Sequence, residues 1–170
     1  MEKEKNSKKL WCVNFRDFER LAKDNDWNKA VPSDTAVISI INSSDIRING
    51  EKHVCKDATN VLNLDFDDCS PLTYKVDASS ETCEIDTGKF VHFFTPEMAQ
   101  KSIEFIKKNK NKNIYIHCTA GMSRSQAFVR FFLNNIHENR WETNPNNPCL
   151  YPNGFVYQRL MEAYRNEQNK

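Results

Sequence analysis

The sequence predicts an α/β fold, in which helices flank both faces of a mainly parallel central sheet. Apolar runs typical of buried strands lie at 36–41, 60–66 and 113–116. Segments with apolar residues at helical spacing lie at 14–23, 95–106, 125–135 and 154–166. Strands that alternate with helices along a chain are typical of parallel sheets covered on both faces. The length of 170 residues predicts a single domain over 1–170.

A local sequence pattern predicts each of the first three elements. The helix at 14–23 places phenylalanines and a leucine on one face. The run at 36–41 reads Ala-Val-Ile-Ser-Ile-Ile, and its β-branched residues suit a central strand. At 60–66, leucine and phenylalanine alternate with asparagine and aspartate, which predicts a strand with one polar face.

The second half of the chain has clear element boundaries. Thr95 suits an N-cap and Pro96 suits the first helical position, so a helix is expected to begin there. The run at 113–116 predicts a short buried strand, and the helix at 125–135 follows it with a stripe of alanine and phenylalanine. A connector rich in proline and asparagine, at 144–153, separates that helix from the last one.

Composition and charge restrict the classes of partner. The chain has 24 basic and 23 acidic residues, a net charge of +1, so no basic field favours nucleic acid or a membrane surface. No apolar run approaches the roughly 18 residues of a membrane span. The charged start of the chain lacks the apolar core of a signal peptide. The cysteines form no CxxC pair, which predicts a reduced, cytoplasmic protein; they are Cys12, Cys55, Cys69, Cys83, Cys118 and Cys149.

The stretch from His117 to Ser125 is the strongest functional signal of the chain. It reads His-Cys-Thr-Ala-Gly-Met-Ser-Arg-Ser, with Cys118 and Arg124 at the two ends of a seven-residue loop between a predicted strand and a predicted helix. Such a loop can close around a phosphate, because a guanidinium matches two phosphate oxygens and backbone N–H groups can form an anion-binding nest. The helix that follows directs its positive end toward the same place.

Each loop residue has an expected role. A cysteine with an ordinary pKa of about 8.5 is mostly protonated at neutral pH, so a nucleophilic Cys118 needs positive charge nearby. Ser125 is expected to cap the helix and to donate a hydrogen bond to the sulfur. Gly121 lets the loop curl. The predicted phosphate-binding residues are Thr119, Ala120, Gly121, Met122, Ser123 and Arg124.

This loop resembles the signature of the protein tyrosine phosphatase superfamily: His-Cys, five residues, Arg and then Ser or Thr, with Gly at the fourth loop position. The resemblance extends over about 35–162. The compact size is similar to the small dual-specificity group, with weaker likenesses to bacterial and phage-type members. The resemblance implies a three-layer sandwich and a phosphomonoester hydrolase that forms a phosphocysteine without metal or cofactor. The implied partner is a phosphorylated protein that carries phosphotyrosine and, in the dual-specificity group, phosphoserine or phosphothreonine.

Catalysis also needs an acid to protonate the leaving oxygen, and the resemblance implies an aspartate on a loop. Asp67 and Asp68 directly follow a predicted strand, at the sheet edge of the loop from Cys118 to Arg124 (the phosphate loop). Asp68 is favoured because it falls where small dual-specificity phosphatases carry their acid, and adjacent carboxylates raise one pKa. The chain lacks the family's Trp-Pro-Asp tripeptide. The long segment at 69–94, expected to be an inserted hairpin or lid, holds Asp77 and Asp86 as rival acids.

Two further residues have supporting roles with open alternatives. His117 is not placed to touch phosphate and is expected to order the loop through hydrogen bonds; the alternative is a plain buried histidine. Cys69, next to the favoured acid, is expected to be an ordinary loop cysteine; the alternative is a resolving thiol for Cys118.

The same residues bear on other functions that such a loop could serve. A phosphoprotein-binding module without turnover and an RNA 5′-phosphatase both stay open, although the near-zero net charge does not favour RNA. A phospholipid phosphatase is disfavoured because the residues inside the loop are uncharged. A sulfurtransferase or an arsenate reductase would not explain an upstream acid.

Overall fold

The structure, a computed structural model, describes residues 6–47, 50–145 and 151–170. Cys149 and part of the predicted connector at 144–153 lie outside these ranges. The strands are β1 (Ser7–Asn14), β2 (Thr35–Ile41), β3 (Val61–Asp65), β4 (Thr82–Glu84), β5 (Phe90–His92), β6 (Asn113–Cys118) and β7 (Arg140–Thr143). The α-helices are α1 (Phe15–Asp24), α2 (Pro96–Asn109), α3 (Arg124–Asn135) and α4 (Gly154–Gln168).

Five strands form one parallel sheet in the order β3-β2-β6-β1-β7. The α/β fold with a parallel central sheet, predicted from the sequence, is confirmed. In the register of this sheet, Asn14 of β1 lies beside Cys118 of β6, and Ser39 of β2 lies beside His117. The carboxyl ends of β1, β3 and β6 therefore meet at one edge, where ligands bind in sheets of this type.

Helices cover both faces of the sheet. On one face, Phe18 and Ala22 of α1 pack with Trp27 and with Val37 of β2. On the other face, α2, α3 and α4 share a larger core with alternate residues of β1, β2 and β6. β2 is buried along its whole length, as expected for a strand covered on both sides.

β1 and β7 are strands that the sequence did not predict. β1 lies between β6 and β7 although its sequence, Ser-Lys-Lys-Leu-Trp-Cys-Val-Asn, is polar at both ends. Its lysines lie where β1 pairs with the short edge strand β7, so their side chains are not enclosed. β7 has four residues and no buried one. Edge strands of this kind carry little hydrophobic pattern.

The segment at 69–94 contains a short 3₁₀ helix (Pro71–Tyr74) and an antiparallel hairpin of β4 and β5. The base of the hairpin is tied to the main sheet, because the Asp67 backbone N–H donates to the His92 carbonyl at 2.8 Å and the Asp67 side chain accepts from the His92 N–H at 2.8 Å. The hairpin thus extends from the same sheet edge as the phosphate loop.

Within 6–47, 50–145 and 151–170, no helix combines the length and the apolar character that crossing a bilayer requires.

Candidate active site

The nucleophile candidate Cys118 lies at the start of the loop that joins β6 to α3. Its Sγ accepts a hydrogen bond from the Gly121 backbone N–H at 3.2 Å and lies 3.1 Å from the Ser125 hydroxyl oxygen. The side chain is 2% exposed. The loop therefore curls back over its own cysteine, with one backbone N–H and one hydroxyl group at the sulfur.

Gly121 makes that curl possible. Its φ of +68° lies in the left-handed region, and a Cβ there would come within 2.8 Å of backbone atoms of Val13 and Asn14 at the end of β1. The Phe15 N–H donates to the Thr119 carbonyl at 3.2 Å. The loop is therefore packed directly on the β1–α1 junction, which leaves no room for a side chain.

We expect Gly121→Ala to lower the free energy of unfolding more than Gly88→Ala does. Both glycines have a left-handed φ, but a Cβ at Gly88 meets nothing within 4 Å. The backbone cost of about 1–2 kcal/mol is common to both, and the clash adds about 1–3 kcal/mol at Gly121 alone. Urea denaturation of the two variants measures the difference. Equal losses would contradict the close packing of the loop on β1.

Arg124 spans the distance between the phosphate loop and the end of β3. Its Nη1 donates to the Phe66 carbonyl at 2.6 Å, and its Nη2 donates to the Thr119 hydroxyl at 2.9 Å. The side chain is buried, and its Nε has no hydrogen-bond partner among the described residues. A buried guanidinium nitrogen without a partner costs free energy unless an anion binds it. Arg124 is thus held at the loop with capacity for an oxyanion.

Ser125 lies between two cysteine thiols instead of capping the helix. Its hydroxyl oxygen is 3.1 Å from Cys118 Sγ and 3.2 Å from Cys12 Sγ. α3 begins at Arg124, with Ser123 at the N-cap position, so the predicted cap at Ser125 is wrong. The expected contact with the sulfur is present because Ser125, one residue into the helix, faces the end of β6.

Asp68 lies against the phosphate loop. Its Oδ1 accepts hydrogen bonds from the Ser123 hydroxyl at 2.7 Å and from the Asn153 side-chain amide at 2.8 Å. Oδ2 has no partner in the parts of the chain that the structure describes, so a proton on this carboxyl group would be carried there. The residue is exposed. Asp68 therefore combines contact with the loop and access from solvent.

Asp67 has a different environment from its neighbour. It is 4% exposed, and its carboxylate accepts bonds from the Ser43 N–H at 2.9 Å, the Ser43 hydroxyl at 2.6 Å and the His92 N–H at 2.8 Å. These three donors tie Asp67, which follows β3, to the segment after β2 and to the hairpin. The geometry separates the two adjacent aspartates into one interior and one loop-facing residue.

The rival acids lie in the hairpin segment. Asp77 accepts bonds from the hydroxyl and the N–H of Ser79, and these bonds lower its pKa. A lowered pKa disfavours an acid that must be protonated near neutrality. Asp86 lies in the turn between β4 and β5 and is exposed. Neither makes a contact with the phosphate loop.

His117 and Cys69 occupy the environments of structural residues. His117 is buried, stacks on Phe18 with ring centroids 4.3 Å apart, and contacts Ser39 at 2.7 Å through Nε2. Burial lowers its pKa to about 3, although the Cys118 backbone favours the protonated ring. Burial and the negative charges of the two neighbouring aspartates raise the pKa of Cys69 to about 12, so its thiol is poorly reactive.

The remaining loop residues differ in exposure. Ala120 and Met122 are exposed at the rim, Met122 to 56%. Thr119 donates its hydroxyl hydrogen to Glu51, a carboxylate that is itself 3% exposed. The same hydroxyl accepts from Arg124. Thr119 therefore links the arginine to a buried acid.

Sequence reasoning missed Glu51, Gln126 and Asn153. Glu51 lies in a polar, turn-rich stretch without periodicity. Gln126 donates to the Gly121 carbonyl at 3.0 Å and so fixes the loop from inside α3. Asn153 caps α4 by accepting from the Val156 N–H at 3.0 Å and also donates to Asp68. Its position at the end of the connector gave no sign of the contact with an acid.

The site thus brings a buried thiol, an N–H and a hydroxyl group at its sulfur, a buried guanidinium and a loop-facing carboxyl group to one sheet edge. This set can hold an oxyanion, attack it and exchange a proton with a leaving group. No protein-family model matches the chain, and no curated protein matches it.

Proposed function

We propose that this protein is a cysteine-dependent phosphomonoester hydrolase that acts on phosphotyrosine and on phosphoserine or phosphothreonine of proteins. The observation that carries the proposal is the closed loop around Cys118, in which Gly121 N–H and the Ser125 hydroxyl contact the sulfur. A structural cysteine at the end of a strand has no need of a positive-φ glycine, a buried arginine and a helix start around it. A thiolate that attacks a phosphate needs all three.

The first step is an in-line displacement at phosphorus. The Cys118 thiolate forms an S–P bond while the P–O bond to the substrate breaks. Arg124 and the backbone amides of the loop bind the equatorial oxygens, where charge accumulates in the transition state. Because Phe66 and Thr119 fix the guanidinium at both ends, this charge stabilisation requires little reorganisation.

Asp68 is the proposed acid. It donates the proton on its carboxyl group to the departing oxygen, which leaves as a hydroxyl group. Its contact with Ser123 keeps the carboxyl group at the loop. Asp67 is unsuited to this role, since it is buried and its oxygens are already occupied by three donors.

The second step hydrolyses the phosphocysteine. Water attacks phosphorus and gives its proton to the Asp68 carboxylate, and the S–P bond breaks. Ser125 lies 3.1 Å from the sulfur and donates a hydrogen bond to the departing thiolate. Inorganic phosphate is released, and both the thiolate and the protonated acid are restored.

Phosphate release from three substrates tests this proposal. The substrates are a phosphotyrosine peptide, a phosphothreonine peptide of the same sequence and a 5′-phosphorylated oligoribonucleotide. We expect release from the peptides and not from the RNA. Release from the RNA alone would assign the loop to an RNA 5′-phosphatase. Binding of the peptides without release would make the protein a phosphoprotein-binding module; either result contradicts the proposal.

A further inference from the structure

Asn153, the residue before α4, makes three hydrogen bonds that join this helix to the phosphate loop and to Asp68. Its side-chain Nδ2 donates to Asp68 Oδ1 at 2.8 Å, and its backbone N–H donates to the Ser123 carbonyl at 3.1 Å. Its Oδ1 accepts from the Val156 N–H at 3.0 Å and so caps the first turn of α4. One residue therefore contacts the helix, the loop and the proposed acid.

The cap of α4 determines which way the Asn153 amide faces. Turning a side-chain amide by half a rotation exchanges its oxygen and its nitrogen, so the partners decide the orientation. The Val156 N–H can only donate and therefore needs the amide oxygen. A turned amide would lose this cap and would place its oxygen against an oxygen of Asp68. The amide nitrogen is therefore held toward Asp68.

Ser123 supplies a second donor to the same oxygen of Asp68. Its hydroxyl donates to Oδ1 at 2.7 Å. Ser123 occupies the N-cap position of α3, where a serine side chain usually accepts from a backbone N–H of the first turn. It makes no such bond within the described residues, and the hydroxyl that would provide the cap contacts Asp68. Local preferences are given up in this way where a residue has a functional contact instead.

These contacts close a triangle of Asp68, Ser123 and Asn153. Two of its corners lie at the starts of helices that are anchored in the main core, α3 by Ala127 and α4 by Val156, both fully buried. Asp68 itself is exposed, and an exposed side chain without partners changes rotamer within nanoseconds. Two donors on rigid elements restrict that motion at Oδ1 and leave Oδ2 without a partner in the described ranges.

We propose that Asn153 is a positioning residue that, together with Ser123, holds Asp68 at the phosphate loop in the orientation from which this acid protonates the leaving group. The inference rests on the proposed function, in which Asp68 is the acid. Asn153 acts on the leaving group only through Asp68. Its effect on the rate is large because displacing a catalytic group by about 1 Å can cost about 10²-fold.

Asn153→Ser separates the contact with Asp68 from the capping of α4. Serine is an N-cap of about the same strength as asparagine, but it has no amide group to reach Asp68. We expect kcat for a phosphotyrosine peptide to fall by about 10-fold to 10²-fold, with KM unchanged. For an activated aryl phosphate, whose leaving group needs no proton, kcat should stay close to that of the wild type. Equal losses with the two substrates would overturn the proposal, because a displaced helix or loop slows both.

Thr95→Ser is the matched control for a change of N-cap. Thr95 caps α2 by accepting from the Met98 N–H at 3.1 Å, and serine can replace it in that role. We expect both substrates to be hydrolysed at the wild-type rate. A loss confined to the peptide in Thr95→Ser would mean that helix capping in general affects proton donation, and this would contradict a specific role of Asn153.

A double variant tests whether Asn153 acts through Asp68. In the Asp68→Asn background no acid remains to be positioned, so Asn153→Ser should add no further loss of kcat for the peptide. Residues that share one contact behave non-additively in this way, whereas independent residues give losses that multiply. Multiplied losses in the double variant would overturn the proposal.

NMR of the ¹⁵N-labelled full chain tests the contact without turnover. The side-chain amide signals of Asn153 are identified by their absence in Asn153→Ser. We expect Asp68→Ala to shift these signals, and Asp86→Ala, in the exposed turn of the hairpin, to leave them in place. Unchanged signals in Asp68→Ala would overturn the inference even for an active enzyme. Shifted signals in a protein that releases no phosphate would support the holding of Asp68 and contradict only the proposed function.

Discussion

Cys118→Ser is expected to reduce kcat for phosphate release from a phosphotyrosine peptide by on the order of 10⁴-fold to 10⁶-fold. A serine hydroxyl is close in shape to a thiol but is not ionised at neutral pH, so no nucleophile remains. The Gly121 N–H, Arg124 and the start of α3 are unchanged by the substitution. Anion binding should therefore survive.

Two measurements on this variant distinguish an effect on catalysis from an effect on phosphate binding. Initial rates give the loss of turnover, and the shift of the unfolding transition with added phosphate gives binding. A ligand at about 100 times its Kd stabilises the folded state by about 2.7 kcal/mol, which is readily measured. Cys83→Ser is the matched control, because Cys83 lies in the hairpin strand β4.

Either of two results would contradict this prediction. Retained turnover in Cys118→Ser would exclude a thiolate mechanism. Loss of phosphate binding together with turnover, with Cys83→Ser unaffected, would mean that Cys118 supports the loop structurally instead of attacking a substrate.

The strong periodic elements of this fold were predictable from the sequence. The three apolar runs became β2, β3 and β6, and the four amphipathic segments became the four helices. Each of these elements buries a wide apolar face, so apolar residues recur at short, regular intervals in its sequence. β1 was not predictable, because half of its residues pair with a short edge strand and two of these residues are lysines. Its burial depends on which strands flank it, and local sequence does not contain that information.

The residues of the candidate site likewise fall into two groups: those that a local sequence pattern indicates and those that distant segments contribute. The loop from Cys118 to Arg124 is contiguous, so its spacing alone indicated its closure. The contacts of Ser39 with His53 and of Thr119 with the buried Glu51 join separate segments of the chain. His53 and Glu51 lie outside the strands, and the sheet register aligns Ser39 with His117. A single serine in an apolar run gives no sign of such a partner.

Asp68→Asn is expected to lower kcat for a phosphotyrosine peptide by about 10²-fold to 10⁴-fold. The amide cannot supply the proton that the departing oxygen requires. For an activated aryl phosphate, whose leaving group is already a stable anion, the loss should be smaller. The ratio of the two losses measures proton donation directly, since binding of the phosphoryl group is common to both substrates.

The pH profile provides a second signature of the same residue. A general acid acts in its protonated form, so the rate falls as pH rises through the pKa of that acid. Asp68→Asn should flatten this basic limb for the peptide. Asp77→Asn is the matched control, since Asp77 is exposed and its side chain accepts hydrogen bonds from Ser79 in the hairpin segment.

Asp67→Asn distinguishes the two adjacent aspartates. Its carboxylate accepts three hydrogen bonds in the interior, so its loss should lower the free energy of unfolding by about 1–3 kcal/mol. At temperatures where this variant is folded, the dependence of rate on the leaving group should match that of the wild type. If the leaving-group effect appeared in Asp67→Asn and not in Asp68→Asn, the acid would be the buried residue, and the contact between Asp68 and Ser123 would serve only to hold the loop.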